Sequence, residues 1–216
     1  ETPGIGRGTF LHSAGSSLPT RTTLDAVMAH LVRESEIGGY AAAAEAADIL
    51  TVGRADLAAL VNGAPHEVAL ATSDSVAWVK AWWGWVTGGN VPRGSVVLVD
   101  RLIYHSHYSA LAKQLQLDVH ELGCQVLTAT GRKFLRAPRG TGMLWVATDI
   151  VDRFTPPGLD ATSTGWTGDG GLTITSSTGR FEEFEVPFAA MVGLAAAARQ
   201  ALDLGMPAVE ARGVQL

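Results

Sequence analysis

The sequence predicts an α/β protein in which a mostly parallel sheet is sandwiched by helices. Short β-type runs, each followed by turn residues, occur at Val68–Ala71, at residues 96–99 and at Val126–Thr130. Helical patterns precede and separate these runs. This alternation is typical of a parallel sheet whose two faces are covered and whose ligands lie at the carboxyl ends of the strands.

The first two helices are predicted from apolar spacing and composition. Pro19-Thr20 opens the first helix, and one amphipathic face is formed by residues at i, i+3, i+4, i+7 and i+8: Leu24, Val27, Met28, Leu31 and Val32. Gly38-Gly39 interrupts it, and the alanine-rich run at residues 40–60 predicts one or two closely packed helices.

The rest of the chain follows the same pattern of strands and helices. We predict a helix from Ser75 to about Trp85 and a strongly apolar helix at residues 187–204. Gly142–Val146 is predicted to be a strand, whereas the Gly/Thr/Ser-rich residues 156–180 are predicted to be loop. No low-complexity linker divides the chain, so we expect one domain over residues 1–216.

Composition excludes several classes of protein. With 47% hydrophobic residues among 216, the chain can bury a sizeable core, and disorder is excluded as its main state. No apolar run is long enough to span a membrane. A net charge of −5 argues against a general nucleic-acid binder. A single cysteine and no signal pattern predict a cytoplasmic location.

A basic loop follows the strand Val126–Thr130 and contains Lys133 between Arg132 and Arg136. Neighbouring positive charge disfavours the ammonium form of a lysine, and a neutral amine can attack a carbonyl. Lys133 is therefore a possible nucleophile. The alternative is a solvated basic turn, since such tracts are common on surfaces. The order of residues does not match a Walker phosphate loop.

A second candidate site is Thr72-Ser73-Asp74-Ser75, where a strand meets the N-terminus of a helix. Free backbone N–H groups and the positive helix end favour a phosphate there, although Asp74 is a poor anion ligand. The alternative is ordinary helix capping by a serine or aspartate.

Two other features receive structural interpretations. His105 and His107 have no Cys, His or carboxylate partner at a recognised metal-site spacing, so we expect no metal. Trp78, Trp82 and Trp85 fall at i, i+4 and i+7 and are interpreted as a subunit interface.

Four segments together resemble the class V aminotransferase-like family of fold-type I pyridoxal-phosphate enzymes. This family includes cysteine desulfurases, isopenicillin N epimerase-like proteins and the C–S lyases of the ergothioneine pathway. The segments are residues 12–17, 36–40, 72–75, and 123–128 continuing into the Gly131-Arg132-Lys133-Phe134-Leu135-Arg136 tract. The last segment is the most specific.

The resemblance implies pyridoxal 5'-phosphate as cofactor, an amino acid as substrate and a homodimer. It implies that Lys133 binds the cofactor covalently and then moves the α-proton of the substrate. The other implied contacts are His105 stacked on the pyridine ring, Ser73, Asp74, Ser75 and Thr130 at the cofactor, and Ser13 and Ala14 at the substrate end. The loop around Trp166-Thr167-Gly168 is the candidate segment for approaching the phosphate of a partner subunit.

The sequence departs from the family in two places. The Asp that binds the pyridinium nitrogen is absent, as are several tens of family residues between Lys113 and Gln114. A smaller C-terminal domain, which supplies an Arg for the substrate carboxylate, would follow Leu216. We therefore expect residues 1–216 to be an incomplete large domain and the polypeptide in solution to be longer.

The expected reaction is β-elimination, or C–S cleavage, on a cysteine-derived amino acid. Epimerisation and transamination are alternatives within the family, and a cofactor-free binding or scaffold protein is an alternative of another class. Desulfuration needs a mobile nucleophilic cysteine, whereas Cys124 is expected to be structural because apolar residues surround it in the sequence.

Overall fold

A computed structural model describes residues 1–95 and 118–214 of the chain. The helices in these ranges are α1 (Arg21–Ile37), α2 (Gly39–Leu60), α3 (Asp74–Thr87), α4 (Phe188–Leu204) and α5 (Met206–Val214). The strands there are β1 (Val68–Ala71), β2 (Val126–Thr130), β3 (Gly142–Val146), β4 (Thr164–Trp166) and β5 (Leu172–Ile174). The strand predicted at residues 96–99 lies outside the described residues.

The central sheet has the order β1–β3–β2, and β3 is antiparallel to both neighbours. The predicted α/β class is confirmed, and both pairings among the three described strands are antiparallel, a direction that the mostly parallel prediction did not assign to β3. The connection from β2 to β3 is the loop at residues 131–141, which is shorter than the dozen or more residues that a parallel crossover needs. As a result, β1 and β2 run in the same direction on either side of β3.

Helices cover both faces of this sheet. Met143 and Trp145 of β3 face a core shared with α2 and α4, while Leu144 and Val146 face a core shared with α3. This alternation follows from the two-residue period of a strand. Because β3 is the central strand of the described sheet and is covered on both faces, all five of its residues are buried.

The alanine-rich helices pack closely, as the composition predicted. A Cβ added at Gly53 of α2 would lie 2.3 Å from the Cβ of Ala195 in α4, and one at Gly193 would lie 2.5 Å from Cγ2 of Val27 in α1. Small residues therefore let α4 approach both α1 and α2. The run at residues 40–60 forms one continuous helix, α2.

The helix α1 begins after Thr20, whose hydroxyl accepts a hydrogen bond from the Thr23 N–H at 3.2 Å. Its existence was predicted correctly, but its packed face coincides with the apolar stripe only in part. Met28, Leu31 and Val32 are exposed, whereas Thr23 and His30 are buried. Val27 of the stripe is half-buried and lies against Gly193 of α4, so the packed face is shifted from the stripe towards Thr23 and His30.

Two further predictions are corrected by the structure. Residues 156–180, predicted to be loop, contain the antiparallel hairpin β4–β5, whose tight turn includes Gly170 at φ +85°. The tryptophans of α3 do not form one surface, because Trp85 packs against Phe154 with ring centroids 5.0 Å apart. Only Trp78 and Trp83 of this helix are exposed tryptophans.

Within the described residues, a charged side chain contacts the edge of β1 that faces away from β3. The Leu70 N–H donates to Oε1 of Glu182 at 2.7 Å, and Arg54 of α2 donates to both oxygens of the same carboxylate. This arrangement occupies a backbone donor that an edge strand would otherwise expose.

Glu67, directly before β1, is buried, and its carboxylate accepts four hydrogen bonds. The donors are the Ala64 N–H, the Trp145 indole N–H, and the Thr148 N–H and hydroxyl, at 2.6–3.0 Å. Burial raises the pKa of Glu67, but these hydrogen bonds outweigh burial and lower the pKa to about 2. The carboxylate thus ties β3 to the start of β1.

We predict that Glu67→Gln lowers the free energy of unfolding by about 2–3 kcal/mol at neutral pH. The reason is that the NH2 group of the glutamine is itself a hydrogen-bond donor and would face the donors that now bind the carboxylate. The pKa of Glu67 is depressed, so its contribution is present above about pH 4.5 and is lost as the pH falls towards 2. Urea unfolding at pH 7 and pH 3 should therefore show a difference between the two proteins that shrinks in acid. The exposed Glu121→Gln variant serves as control; equal stability of Glu67→Gln and wild type at pH 7 would contradict the assignment.

Candidate functional site

A cavity of about 600 Å³ lies at the edge of the sheet where β1 and β2 end and β3 begins. Its walls come from the N-terminal segment (residues 12–20), the C-terminal end of α2, the first turn of α3, the loop after β2, the end of α4 and the start of α5. Much of the lining is apolar and includes Leu57, Val61 and Leu194. A cavity of this size can enclose a small cofactor together with a substrate.

The structure brings seven of the eight predicted site residues to this one cavity. They are Ser13, Ala14, Ser73, Asp74, Ser75, Thr130 and Lys133. The eighth, His105, lies outside the described residues, as does His107. The seven residues come from three segments that are distant in sequence, so the fold assembles the predicted group.

The first turn of α3 contributes the segment that was predicted to bind phosphate. Ser73 is the N-cap, and its hydroxyl accepts a hydrogen bond from the Val76 N–H at 3.1 Å. The capping interpretation is therefore correct for Ser73. It is compatible with an anion, because the first N–H groups of a helix have no acceptor within the helix and point towards its end.

Gly142 allows this turn to lie directly on the sheet. A Cβ at position 142 would be 2.6 Å from the Ala129 carbonyl oxygen, 2.9 Å from the Ser73 carbonyl carbon and 3.0 Å from the Asp74 nitrogen. Real Cβ atoms do not approach backbone atoms so closely, so a side chain here would displace the start of α3. Gly142 also pairs with Thr130 across the sheet.

Two polar atoms at the cavity have no hydrogen-bond partner within the described part of the chain. They are Oδ1 of Asp74 and Oγ1 of Thr128, and both are buried. Unpaired buried polar atoms are costly, so a ligand with polar groups would satisfy them. Thr128 was missed as a site residue, although its position two residues before Thr130 places both on the same face of β2.

Lys133 is half-buried and lines the cavity, which distinguishes it from a fully solvated turn residue. The loop around it is closed by backbone hydrogen bonds from Gly131 to the Thr141 carbonyl and from Ala137 to the Gly131 carbonyl, both at 2.9 Å. The Arg136 N–H also donates to the Lys133 carbonyl at 3.2 Å. The backbone that carries Lys133 is therefore fixed.

The arginines beside Lys133 contact the N-terminal segment. Arg132 Nη1 donates to the Gly15 carbonyl at 2.7 Å, and the Ser17 N–H donates to the Arg132 carbonyl at 2.9 Å. Arg136 Nε donates to the Leu18 carbonyl at 2.9 Å. Burial lowers the pKa of Arg136, yet a guanidinium keeps its charge in proteins.

Cys124 lies away from the cavity. Its thiol is half-buried against the core, with Sγ 3.8 Å from the Val119 carbonyl oxygen, and burial raises its pKa. A raised pKa keeps the thiol protonated and poorly nucleophilic.

Trp166, in the loop that was predicted to approach the phosphate of a partner subunit, is 83% exposed at the end of β4.

Neither a membrane-spanning helix nor a metal cluster is found in residues 1–95 and 118–214. No helix there has the length and apolar character to cross a bilayer. The same ranges contain no group of three or more His, Cys, Asp or Glu side chains placed to hold a metal ion.

Comparison with known proteins identifies the family. The model of the family described as Aminotransferase class-V matches residues 94–216. A probable hercynylcysteine sulfoxide lyase from Mycobacterium tuberculosis (strain CDC 1551 / Oshkosh) is 42% identical over 69 residues. That match spans 32% of this chain but only 17% of the length of the lyase.

Solved structures share the fold at low sequence identity. The cystine C–S lyase C-DES, in complex with its reaction product cysteine persulfide, has a TM-score of 0.76 and 16% identity. This superposition covers 95% of the present chain and 74% of C-DES. A lysine-to-alanine variant of C-DES, described with glycine covalently linked to the PLP cofactor, has a TM-score of 0.74 and 15% identity, and covers 94% of this chain and 74% of that one.

The apo cysteine desulfurase from Thermococcus onnurineus NA1 has a TM-score of 0.77 at 15% identity, covering 96% of this chain and 70% of the desulfurase. The present chain covers 74% of C-DES and 70% of the desulfurase, so both structures contain residues without a counterpart in these 216 residues. The family match covers more than half of the sequence and includes the Lys133 loop. The chain therefore belongs to the class V aminotransferase family.

Proposed function

We propose that residues 1–216 form the cofactor-binding large domain of a pyridoxal-phosphate-dependent C–S lyase that acts on a cysteine-derived amino acid. The observation that carries this proposal is the meeting of Lys133 and the first turn of α3 at one cavity. The cofactor is identified by the family match and by C-DES, which has this fold and is described with covalently linked PLP.

The residues at the cavity fit this cofactor. Ser73, Ser75 and the N-terminal end of α3 would bind its phosphate, with Thr130 beside them, and the Lys133 amine would bind its aldehyde covalently. Asp74 and Thr128 would satisfy their unpaired oxygen atoms with polar groups of the bound molecule. His105 remains a proposed stacking residue outside the described part.

When bound, pyridoxal phosphate supplies an electron sink that stabilises negative charge at the substrate Cα. The protein then decides which bond breaks. Lys133 would take the proton from Cα, and Ser13 and Ala14 would line the substrate end. Leu57 and Leu194 would present an apolar wall to the bound molecule.

In the proposed elimination, the Cα–H and Cβ–S bonds break and the sulfur leaves with the bonding electron pair. For a simple S-substituted cysteine, hydrolysis then releases the carbon skeleton as pyruvate and ammonia. The similarity to a hercynylcysteine sulfoxide lyase and, in fold, to a cystine C–S lyase supports this reaction. Epimerisation and transamination begin with removal of the same proton and are the alternatives, and a cofactor-free binding protein is the alternative outside catalysis.

We predict that Lys133 is the residue that binds the cofactor. Borohydride reduction in the presence of pyridoxal phosphate, followed by peptide mapping, should place the label on Lys133, and Lys133→Ala should abolish it. Lys80 is a suitable internal comparison, because its amine donates to the Phe181 carbonyl at 2.7 Å and pairs with Glu183. A label on Lys80 in place of Lys133 would overturn the assignment.

We predict that S-substituted cysteines or their sulfoxides release keto acid, and that Cys124→Ala keeps more than half of this turnover. The reason is that the Cys124 thiol lies outside the cavity and its pKa is raised. Keto-acid release would be assayed with L-cystine and S-methyl-L-cysteine sulfoxide. Racemisation without release would favour the epimerase alternative, and loss of turnover in Cys124→Ala with cofactor still attached would make Cys124 the nucleophile.

We also propose that the chain forms a homodimer through the exposed tryptophans of α3. Trp78 and Trp82 stack with centroids 5.9 Å apart, and Trp83 is 51% exposed. Exposed aromatic side chains such as Trp78 and Trp83 are typical of an interface.

We predict a dimer in sedimentation velocity at micromolar concentration and a shift towards monomer in the Trp78→Glu/Trp83→Glu variant, because the charges would be buried there. Tyr40→Glu on α2 is the matched control, since Tyr40 is also exposed. A monomeric wild type that binds pyridoxal phosphate would refute the proposal.

A further inference from the structure

The loop that carries Lys133 also holds the N-terminal segment, residues 12–20, at the cavity. We propose that Arg132 and Arg136 are positioning residues that fix the substrate end of the cavity by binding the backbone of this segment. The proposal rests on the proposed function for what the cavity binds, but its structural part stands on the contacts alone.

The N-terminal segment is anchored at its far end by Thr20, the buried N-cap of α1, whereas Ser13 and Ala14 are exposed. Regular structure before α1 is limited to the short 3-10 turn Ile5–Arg7, and Phe10 and Leu11 are exposed. Nevertheless Ser13, Ala14 and Ser17 line the cavity. A segment with few buried apolar contacts opens easily, so its hydrogen bonds to the loop determine where this wall lies.

Arg132 contacts the segment in two ways. Its guanidinium donates to the Gly15 carbonyl at 2.7 Å, and its own carbonyl accepts from the Ser17 N–H at 2.9 Å. Because Arg132 precedes Lys133 directly, the position of the Ser13–Ser17 wall and the position of the lysine are coupled through one residue.

Arg136, on the other side of Lys133, contacts both this segment and Thr2, which precedes it in the chain. Its Nε donates to the Leu18 carbonyl at 2.9 Å, and its Nη2 donates to the Thr2 hydroxyl. The two acceptors are held by different nitrogens of one planar group, which a lysine amine cannot reproduce. Arg136 also has φ +62°, a left-handed conformation that L side chains rarely adopt and that points to a fixed local role.

The test uses the variants Arg132→Gln and Arg136→Asn. Asparagine is chosen at position 136 because it tolerates the left-handed conformation, so this substitution removes the guanidinium without adding backbone strain. Arg139→Gln is the matched control, because Arg139 is an exposed arginine of the same loop that does not line the cavity. Thr2→Val removes one acceptor and serves as a mild variant if a loop variant fails to fold.

The main measurement is backbone hydrogen exchange of residues 12–18 in the full chain, with and without pyridoxal phosphate. We expect exchange at least fivefold faster in Arg132→Gln and Arg136→Asn, a smaller increase in Thr2→Val, and no change in Arg139→Gln. Covalent attachment of the cofactor should persist, and KM for S-methyl-L-cysteine sulfoxide should rise at least fivefold, with a smaller change in kcat.

Unchanged exchange of residues 12–18 in both loop variants would overturn the proposal, as would the same increase in Arg139→Gln. Faster exchange with an unchanged KM would overturn the role at the substrate end. If wild type fails to attach pyridoxal phosphate, the proposed function fails, while the exchange data still decide whether the two arginines hold the segment.

Discussion

The absence of a side chain at position 142 is the constraint on which the candidate site depends. Backbone atoms of Ser73, Asp74 and Ala129 lie within 3.0 Å of where a Cβ would be. This contact places the first turn of α3 on the central strand, next to Thr130, which is the pairing partner of Gly142 in β2. A larger residue would separate the predicted phosphate-binding turn from the loop that carries Lys133.

The antiparallel direction of β3 has a related effect. Because β3 runs against both neighbours, the start of β3 lies beside the ends of β1 and β2. The segments that follow β1 and β2 are the turn before α3 and the Lys133 loop, so both emerge at one edge. Two motifs that are far apart in the sequence therefore contribute to the same cavity.

The sequence predicts those parts of the fold that depend on neighbouring residues. The bounds of β1, β2 and β3 agree with the predicted runs, and α1 and α3 begin after the capping residues Thr20 and Ser73. The antiparallel direction of β3 and the exact packed face of α1 were not predicted. Both depend on elements far along the chain, such as the close approach of Gly193 to Val27, and a local pattern does not encode that distance.

In the candidate site, too, local sequence signals could be predicted, whereas contacts between distant segments could not. Motif residues such as Lys133 and Ser73 could be selected from the sequence, because reactive or polar side chains in a known order carry the signal. The contacts of Arg132 and Arg136 could not, because their acceptors are backbone carbonyls of Gly15 and Leu18, which any residue could provide. A basic tract beside a lysine therefore suggested an electrostatic role alone.

The two roles of these arginines are compatible for a physical reason. A hydrogen bond to a carbonyl satisfies a guanidinium donor but brings no negative charge to it, in contrast to a carboxylate partner. Arg132 and Arg136 can thus hold the N-terminal segment and still contribute positive potential around Lys133. At a cavity whose proposed ligands carry phosphate and carboxylate groups, the contacts that shape the wall leave the field that attracts those ligands in place.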